Sequence, residues 1–376
     1  MKLLNCSKTR LMLIVFMAGM LCSILGISPC MSQTNSEDIA AQIDAYLNDK
    51  VSQGQFSGSV LVAKEGQAII SKGYGMANYE HDVLNQPYTK FRLQSLAKQF
   101  TAMAIMILQE AGMLSVDDSI CTYITDCPGA WEQITIHNLL THTSGLRDYT
   151  SMDGAGDLAR LPKTLDMIID LIRDKSVKFT PGTRFNYCNS NYVLLTAIIE
   201  SASGKSYADF MEENIFEPLG MINSGVDNSR TILKNRAAGY ARQSGNLVNA
   251  NYELVDAPCG DGHIYTTVED MLLWDQALYT DQLVSQDTLD AIFTPWESDS
   301  YTGGYYGYGW EIVERGDHEV LQHGGLWWGF ATFFARVPEQ KICVVVLSNF
   351  QHLNWDLVDD IFDMAMNIPE TNENGE

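Results

Sequence analysis

Positive charge is scarce in this 376-residue sequence: 24 Lys and Arg stand against 47 Asp and Glu, a formal net charge of −23. With no basic cluster to interrupt that field, a nucleic-acid surface is excluded and binding to an anionic membrane face is disfavoured, since phosphates would be repelled. Neutral or cationic small molecules and peptides are the expected partners. Metal spacings are also missing. No C-x-x-C pair occurs, and His137 and His142, five apart, miss the i,i+4 pairing of a helical zinc site. Both histidines read as structural, and neither a metal nor another cofactor is expected. The glycines from Gly303 to Gly309 lack the lysine and the strand-to-helix setting of a phosphate loop. Repeats, low-complexity tracts and separating linkers are absent, so the 46% hydrophobic content points to one large core.

What is present begins with an address. Lys2, Lys8 and Arg10 precede an apolar run from Leu11 to Ile27 and small residues through Ser32, the pattern of an export signal over residues 1–32. Cleavage after Ser32 would release a periplasmic or secreted chain and take away three basic residues, moving the net charge from −23 to −26. Left uncleaved, the run would anchor the chain in a membrane. Neither Cys22 nor Cys30 follows the small residue that lipid attachment wants. Cys121, Cys127, Cys188, Cys259 and Cys343 lie beyond the leader, and five cannot all pair. Cys121 and Cys127 flank a short loop that an oxidising compartment would close, for about 2.4 kcal/mol on the loop-entropy formula.

Periodicity supplies the architecture. Ile39, Ile43 and Leu47 have helical spacing; 56–62 and 68–74 read as a hairpin turning at Glu65-Gly66. Residues 309–314, 330–337 and 342–349 read as three more strands, and 355–366 as a closing helix. Helical patterns dominate between, around 136–140, 165–173, 191–201, 207–215 and 268–279. Both ends therefore build one sheet, and the expected fold class is α/β (α+β): an antiparallel sheet flanked by N- and C-terminal helices, with a large, mostly helical insertion over about 91–280. Residues 33–370 form a single catalytic domain in this reading, with 371–376 a tail.

Ser95-Leu96-Ala97-Lys98 carries the chemistry. Apolar residues on all faces of the segment that follows predict a buried helix, and residues three apart share a face, so Lys98 sits beside the Ser95 hydroxyl. Desolvation lowers a lysine pKa, and a neutral amine can take the serine proton. Tyr187 and Asn189 project from the turn Pro181 to Asn189 before a helix beginning near Ser190. A phenol whose pKa is lowered by a nearby ammonium can relay a proton, and an amide can fix a substrate carbonyl. Further on, the glycines of Gln322-His323-Gly324-Gly325-Leu326 would let a substrate backbone lie close to the sheet edge. His323 could hold a carboxylate or oxyanion. Trp327, Trp328, Tyr301, Tyr305, Tyr306 and Tyr308 either line a wide aromatic cleft or, from Tyr301 to Trp310, pack as a loop entering a strand.

In this order the three elements resemble the serine β-lactamase and penicillin-binding-protein superfamily, in the branch of class C β-lactamases, D-Ala-D-Ala carboxypeptidases, D-aminopeptidases and esterases. The stretches 91–101, 139–146, 216–221 and Gly260-Asp261-Gly262 are similar to that branch as well, so the likeness runs from about Ile39 to Phe350. It implies a β-lactamase/transpeptidase-like fold, with Ser95 as nucleophile, Lys98 as its base partner, Tyr187 as proton shuttle and Asn189 as substrate anchor. His323 and Gly325 would form the third, substrate-binding element, with the backbone N–H groups of Ser95 and Leu326 as oxyanion hole. Whether Lys98 or Tyr187 is the acylation base stays open. Class C β-lactamases carry Lys-Thr-Gly where this chain has His323-Gly324-Gly325, which weakens recognition of a β-lactam carboxylate and favours peptidase or esterase chemistry. The expectation is an exported serine hydrolase that forms an acyl-enzyme on Ser95 and cleaves amides or esters of small peptide-like or acyl compounds. The alternative is a β-lactamase or penicillin-binding sensor that acylates without efficient turnover.

Overall fold

The computed structural model describes residues 36–153, 160–161, 163–250 and 258–367. The expected leader and tail lie outside the described residues. Eight antiparallel strands form the main sheet: β1 (Gly58–Lys64), β2 (Gln67–Tyr74), β3 (Glu297–Ser298), β4 (Tyr305–Tyr306), β5 (Glu311–Arg315), β6 (His318–Trp327), β7 (Phe330–Val337) and β8 (Ile342–Ser348), in the order β3-β4-β5-β6-β7-β8-β1-β2. The helices are α1 (Ser36–Ser52), α2 (Lys98–Glu110), α3 (Ile136–Leu140), α4 (Leu165–Arg173), α5 (Asn189–Ser203), α6 (Tyr207–Met211), α7 (Val268–Ala277), α8 (Gln286–Ile292) and α9 (Trp355–Met366). The expected sheet with terminal helices and a helical insertion is therefore found.

Successive strand residues point to opposite faces, and both faces of this sheet are covered. Val60, Val62, Val344 and Val346 pack under α1 and α9 with Ile39, Ile43, Leu357 and Ile361. Leu61, Ala63, Val345 and Leu347 face the insertion instead, where they meet the core of α2, α5 and α7. Each fully buried side chain of this size contributes roughly 1.5–3 kcal/mol of transfer free energy, which is why β1 and β8 are apolar without alternation. Arg336 of β7 and Asp275 of α7, each 1% exposed, pair at 2.9 Å and tie sheet to insertion. Cys121 and Cys127 are bridged, as the loop between them suggested, while Cys188, Cys259 and Cys343 are buried and outside any disulfide.

The structure adds to the sequence reading in several elements. The third motif, which the sequence placed only ahead of the 330–337 strand, is part of β6, a ten-residue strand that pairs with both β5 and β7. Its paired glycines hide the strand pattern. Helix α8 went unread because only Leu289 and Ile292 of its seven residues are buried apolar positions; Ser285 caps it by accepting the Thr288 N–H. Beyond Met211 the expected helix continues as a π-helical turn, Glu212–Phe216.

Candidate active site

Ser95 lies in a 3-10 turn, Gln94–Ala97, that runs straight into α2, so Lys98 is the first α-helical residue and not a partner on a common α-helix. The tighter winding eclipses side chains three apart, and Lys98 Nζ stands 3.1 Å from Ser95 Oγ. Gln94, just before the nucleophile, has φ 54°. That left-handed conformation costs a non-glycine residue of order 1 kcal/mol, and the surrounding packing holds it. The packing comes from β6. A Cβ added at Gly325 would meet Leu93 O at 2.1 Å and Thr332 Oγ1 at 2.5 Å, and Thr332 Oγ1 itself donates to Leu93 O at 2.6 Å. Gly325 thus admits the nucleophile's own turn.

Lys98 is wholly buried, and its amine also reaches Asn189 Oδ1 and the Asp261 carbonyl, both at 2.9 Å. Asn189 opens α5, and its amide nitrogen is held in turn by Asp148 Oδ2 at 3.1 Å. Burial pulls the Lys98 pKa down to about 8, with the Asp261 and Asp148 charges acting the other way. A neutral amine has two hydrogens and one lone pair. With the hydrogens given to Asn189 and Asp261, the lone pair is left for the Ser95 hydroxyl.

Tyr187 departs from expectation. Its ring lies 4.9 Å from Lys98 Nζ, but burial drives the phenol well above its ordinary range and outweighs the lowering influence of the Ser95 hydroxyl. It remains a neutral O–H, buried and without a hydrogen bond of good geometry. Behind it, the His142 ring centroid is 4.3 Å away, and His142 Nδ1 accepts the Cys188 N–H at 3.2 Å. Burial and then the Lys98 charge hold His142 well below its usual pKa. His137 Nδ1 meets Tyr308 Oη at 2.8 Å.

The surroundings of His323 do not favour the expected electrostatic role. The residue is 2% exposed; Nδ1–H donates to Gly324 O at 2.6 Å and Nε2 accepts from Tyr306 Oη at 3.1 Å. Burial, helped by the Lys98 charge, lowers its pKa to about 3. A neutral imidazole with both nitrogens engaged offers no charge to a carboxylate.

Ser95 and Leu326, the two expected oxyanion donors, line one small cavity of about 60 Å³ together with Asn189, Asp261, Tyr149 and Trp327. Of the aromatic residues in the sequence reading, only Trp327 reaches it; Tyr306, Tyr308 and Trp310 are buried as a packed segment requires, whereas Tyr301 and Tyr305 are exposed. Asp261 and Tyr149, hydrogen-bonded at 2.8 Å, were given no role from sequence, Asp261 entering only as part of Gly260-Asp261-Gly262. The available signal was a carboxylate set between Gly260 and Gly262. Cys259, Asp261 and His263 bring one potential ligand atom each within 4.8 Å. Because His263 Nδ1 takes the Cys259 N–H at 2.9 Å, we assign the trio no metal role.

The Beta-lactamase family model matches residues 39–365, which spans both motif-bearing parts of the fold. The chain belongs to the Beta-lactamase family. It shares the β-lactamase/transpeptidase fold and is a serine hydrolase of this family. Penicillin-binding protein 4* of Bacillus subtilis (strain 168) is 33% identical over 313 residues, covering 78% of this chain and 68% of that protein. The penicillin binding protein from Bacillus halodurans superposes with TM-score 0.77 at 31% identity, over 85% of this β-lactamase-family chain and 99% of that one. The penicillin-binding protein homologue from Pyrococcus abyssi gives 0.78 at 28% identity, over 87% and 76%.

Proposed function

We propose that this β-lactamase-family chain is an exported hydrolase that forms an acyl-enzyme on Ser95 and cleaves amides or esters of small peptide-like or acyl substrates. The observation that carries the reading is the Lys98 amine, fully buried and 3.1 Å from Ser95 Oγ; burial pulls its pKa down to about 8, so its neutral form can turn a lone pair to the hydroxyl. In the proposed cycle Lys98 takes the Ser95 proton as Oγ attacks the acyl carbon. The resulting oxyanion sits against the Ser95 and Leu326 N–H groups; losing one such donor typically costs roughly 3 to 4 kcal/mol of transition-state stabilisation. As the C–N or C–O bond breaks, Lys98 passes its proton through the Tyr187 hydroxyl to the leaving group. Neutral Lys98 then takes a proton from water as the water oxygen attacks the acyl-enzyme ester, and returns it to Ser95 Oγ as the ester C–O bond breaks. The raised Tyr187 pKa supports Lys98 over Tyr187 as acylation base. Export is supported by the leader pattern of residues 1–32 and by the Cys121–Cys127 bridge, since such bonds persist in oxidising compartments.

A second reading is favoured by the names of the relatives: penicillin acylates Ser95 and stays. Buried, neutral His323 supports slow handling of β-lactams, whose carboxylate finds no cation at the third motif. The two readings part in a turnover panel of a chromogenic cephalosporin, short-chain nitrophenyl esters and D-alanyl anilides. Steady turnover of esters or anilides, with an adduct on Ser95 by mass spectrometry that vanishes in Ser95→Ala, is the expected result. A stoichiometric burst with every substrate supports the sensor; an adduct that persists in Ser95→Ala removes the assignment.

A further inference from the structure

Asp261 holds more negative charge than the proposed cycle uses. Its backbone carbonyl serves Lys98, and the residue also lines the cavity beside Ser95 and Asn189. One carboxylate oxygen accepts the Tyr149 hydroxyl at 2.8 Å; the other is buried with no hydrogen-bond partner among the described residues. Asp261 is 7% exposed, and a half-satisfied buried carboxylate is costly unless something supplies the missing donor. A terminal carboxylate turns readily about its last torsion, so either oxygen can be presented to the cavity. None of the described residues lining the cavity is Lys or Arg, and Asp148 adds a second carboxylate behind Asn189.

We infer that Asp261 is the anchor for a protonated amino group on the acyl part of the substrate, so that the preferred substrates are amides or esters of amino acids, or short peptides, with a free amine near the scissile carbonyl. Trp327, 38% exposed at the cavity rim, offers an apolar wall for the side chain of that amino acid. The pairing also has a catalytic consequence. The Asp261 charge is the largest influence holding Lys98 up against burial; a substrate ammonium neutralises it and shifts Lys98 toward the neutral form that accepts the serine proton. The right substrate thereby readies its own base.

The inference rests on the proposed hydrolysis at Ser95, and two independent measurements keep the failures apart. The first compares kcat/KM for phenylalanine p-nitroanilide, in each enantiomer, with 3-phenylpropionyl p-nitroanilide, which lacks only the amine. At least a tenfold preference for one amine-bearing enantiomer is expected, collapsing below threefold in Asp261→Asn; because the readout is a ratio, any general loss of activity cancels. The second measures calorimetric binding of phenethylamine and 2-phenylethanol to the Ser95→Ala protein, where catalysis plays no part. The amine should bind at least tenfold more tightly, and Asp261→Asn added to Ser95→Ala should erase the difference. Equal binding of amine and alcohol, or a preference that survives Asp261→Asn, overturns the anchor. If neither anilide is turned over and Ser95 takes no label, the hydrolase reading falls while the calorimetry still decides the amine site.

Discussion

Lys98 is kept buried at the expense of stability. Its folded pKa of about 8 lies below the ordinary lysine value of 10.5, so the unfolded chain binds more protons between those limits and stability rises with pH across them. Below pH 8 the chain carries the full burden of a buried ammonium. Lys98→Met, which keeps the volume and drops the charge, should therefore raise unfolding stability at pH 7 by about 1–2 kcal/mol, after allowing for lost hydrogen bonds, while abolishing acylation. Urea unfolding checks the gain; a large loss would mean that the amine's contacts outweigh its desolvation. The same pKa makes acylation climb with pH and level off above about 8. His323 adds no inflection between pH 5 and 8, since it is already neutral there. Profiles of kcat/KM for carboxylate-bearing and uncharged substrates should keep a constant ratio over that range, and an added limb near pH 6 for the anionic one would restore the charged histidine.

At the scale of elements, the site depends on β6 lying against the turn that bears Ser95. Gly325→Ala places a methyl where Leu93 O would be 2.1 Å away. Since backbone cannot yield as a side-chain tip does, the 3-10 turn must move. A 1 Å displacement can cost on the order of 100-fold in rate, so loss of activity on this scale is expected along with a stability loss of about 1–3 kcal/mol for overpacking. Rate assays and chemical denaturation on one preparation check both, and a variant with full activity would show the turn to be compliant. The Arg336–Asp275 pair should show the asymmetry of buried ions: Asp275→Asn costs about 3–5 kcal/mol by stranding Arg336, whereas the double change Asp275→Leu, Arg336→Met costs less. These elements also show what the sequence could and could not convey. Ser95 and Lys98 were legible because three residues suffice to put them together, and β1, β8 and α1 because their apolar residues repeat regularly. The close approach of β6 was not, because Leu93 and Gly325 are distant in sequence. Nor were the states of Tyr187 and His323: a motif names a titratable group, and only packing from other segments fixes its protonation. Asp261 escaped because its significance lies in a missing partner.

The molecule as a whole bears a net charge of −23 and an isoelectric point near 4.5. Like charges crowded into a compact state repel, and salt screens them over about 10 Å at 0.1 M. The thermal midpoint should therefore rise between 10 mM and 500 mM sodium chloride in scanning calorimetry; a fall would mean that attractive ion pairs dominate the charge balance. The strand order carries a different consequence, for the time at which the enzyme comes alive. β1 is made before the whole insertion, yet it lies between β2 and β8, and β8 is made after that insertion. The nucleophile's turn packs on β6 and β7, which are themselves late. During vectorial synthesis or passage through a narrow channel, Ser95 and Lys98 emerge long before the strands that shape them. A nascent chain stopped short of β6 holds the catalytic letters without the grammar, and stays inert toward its surroundings until β6 and β7 have arrived.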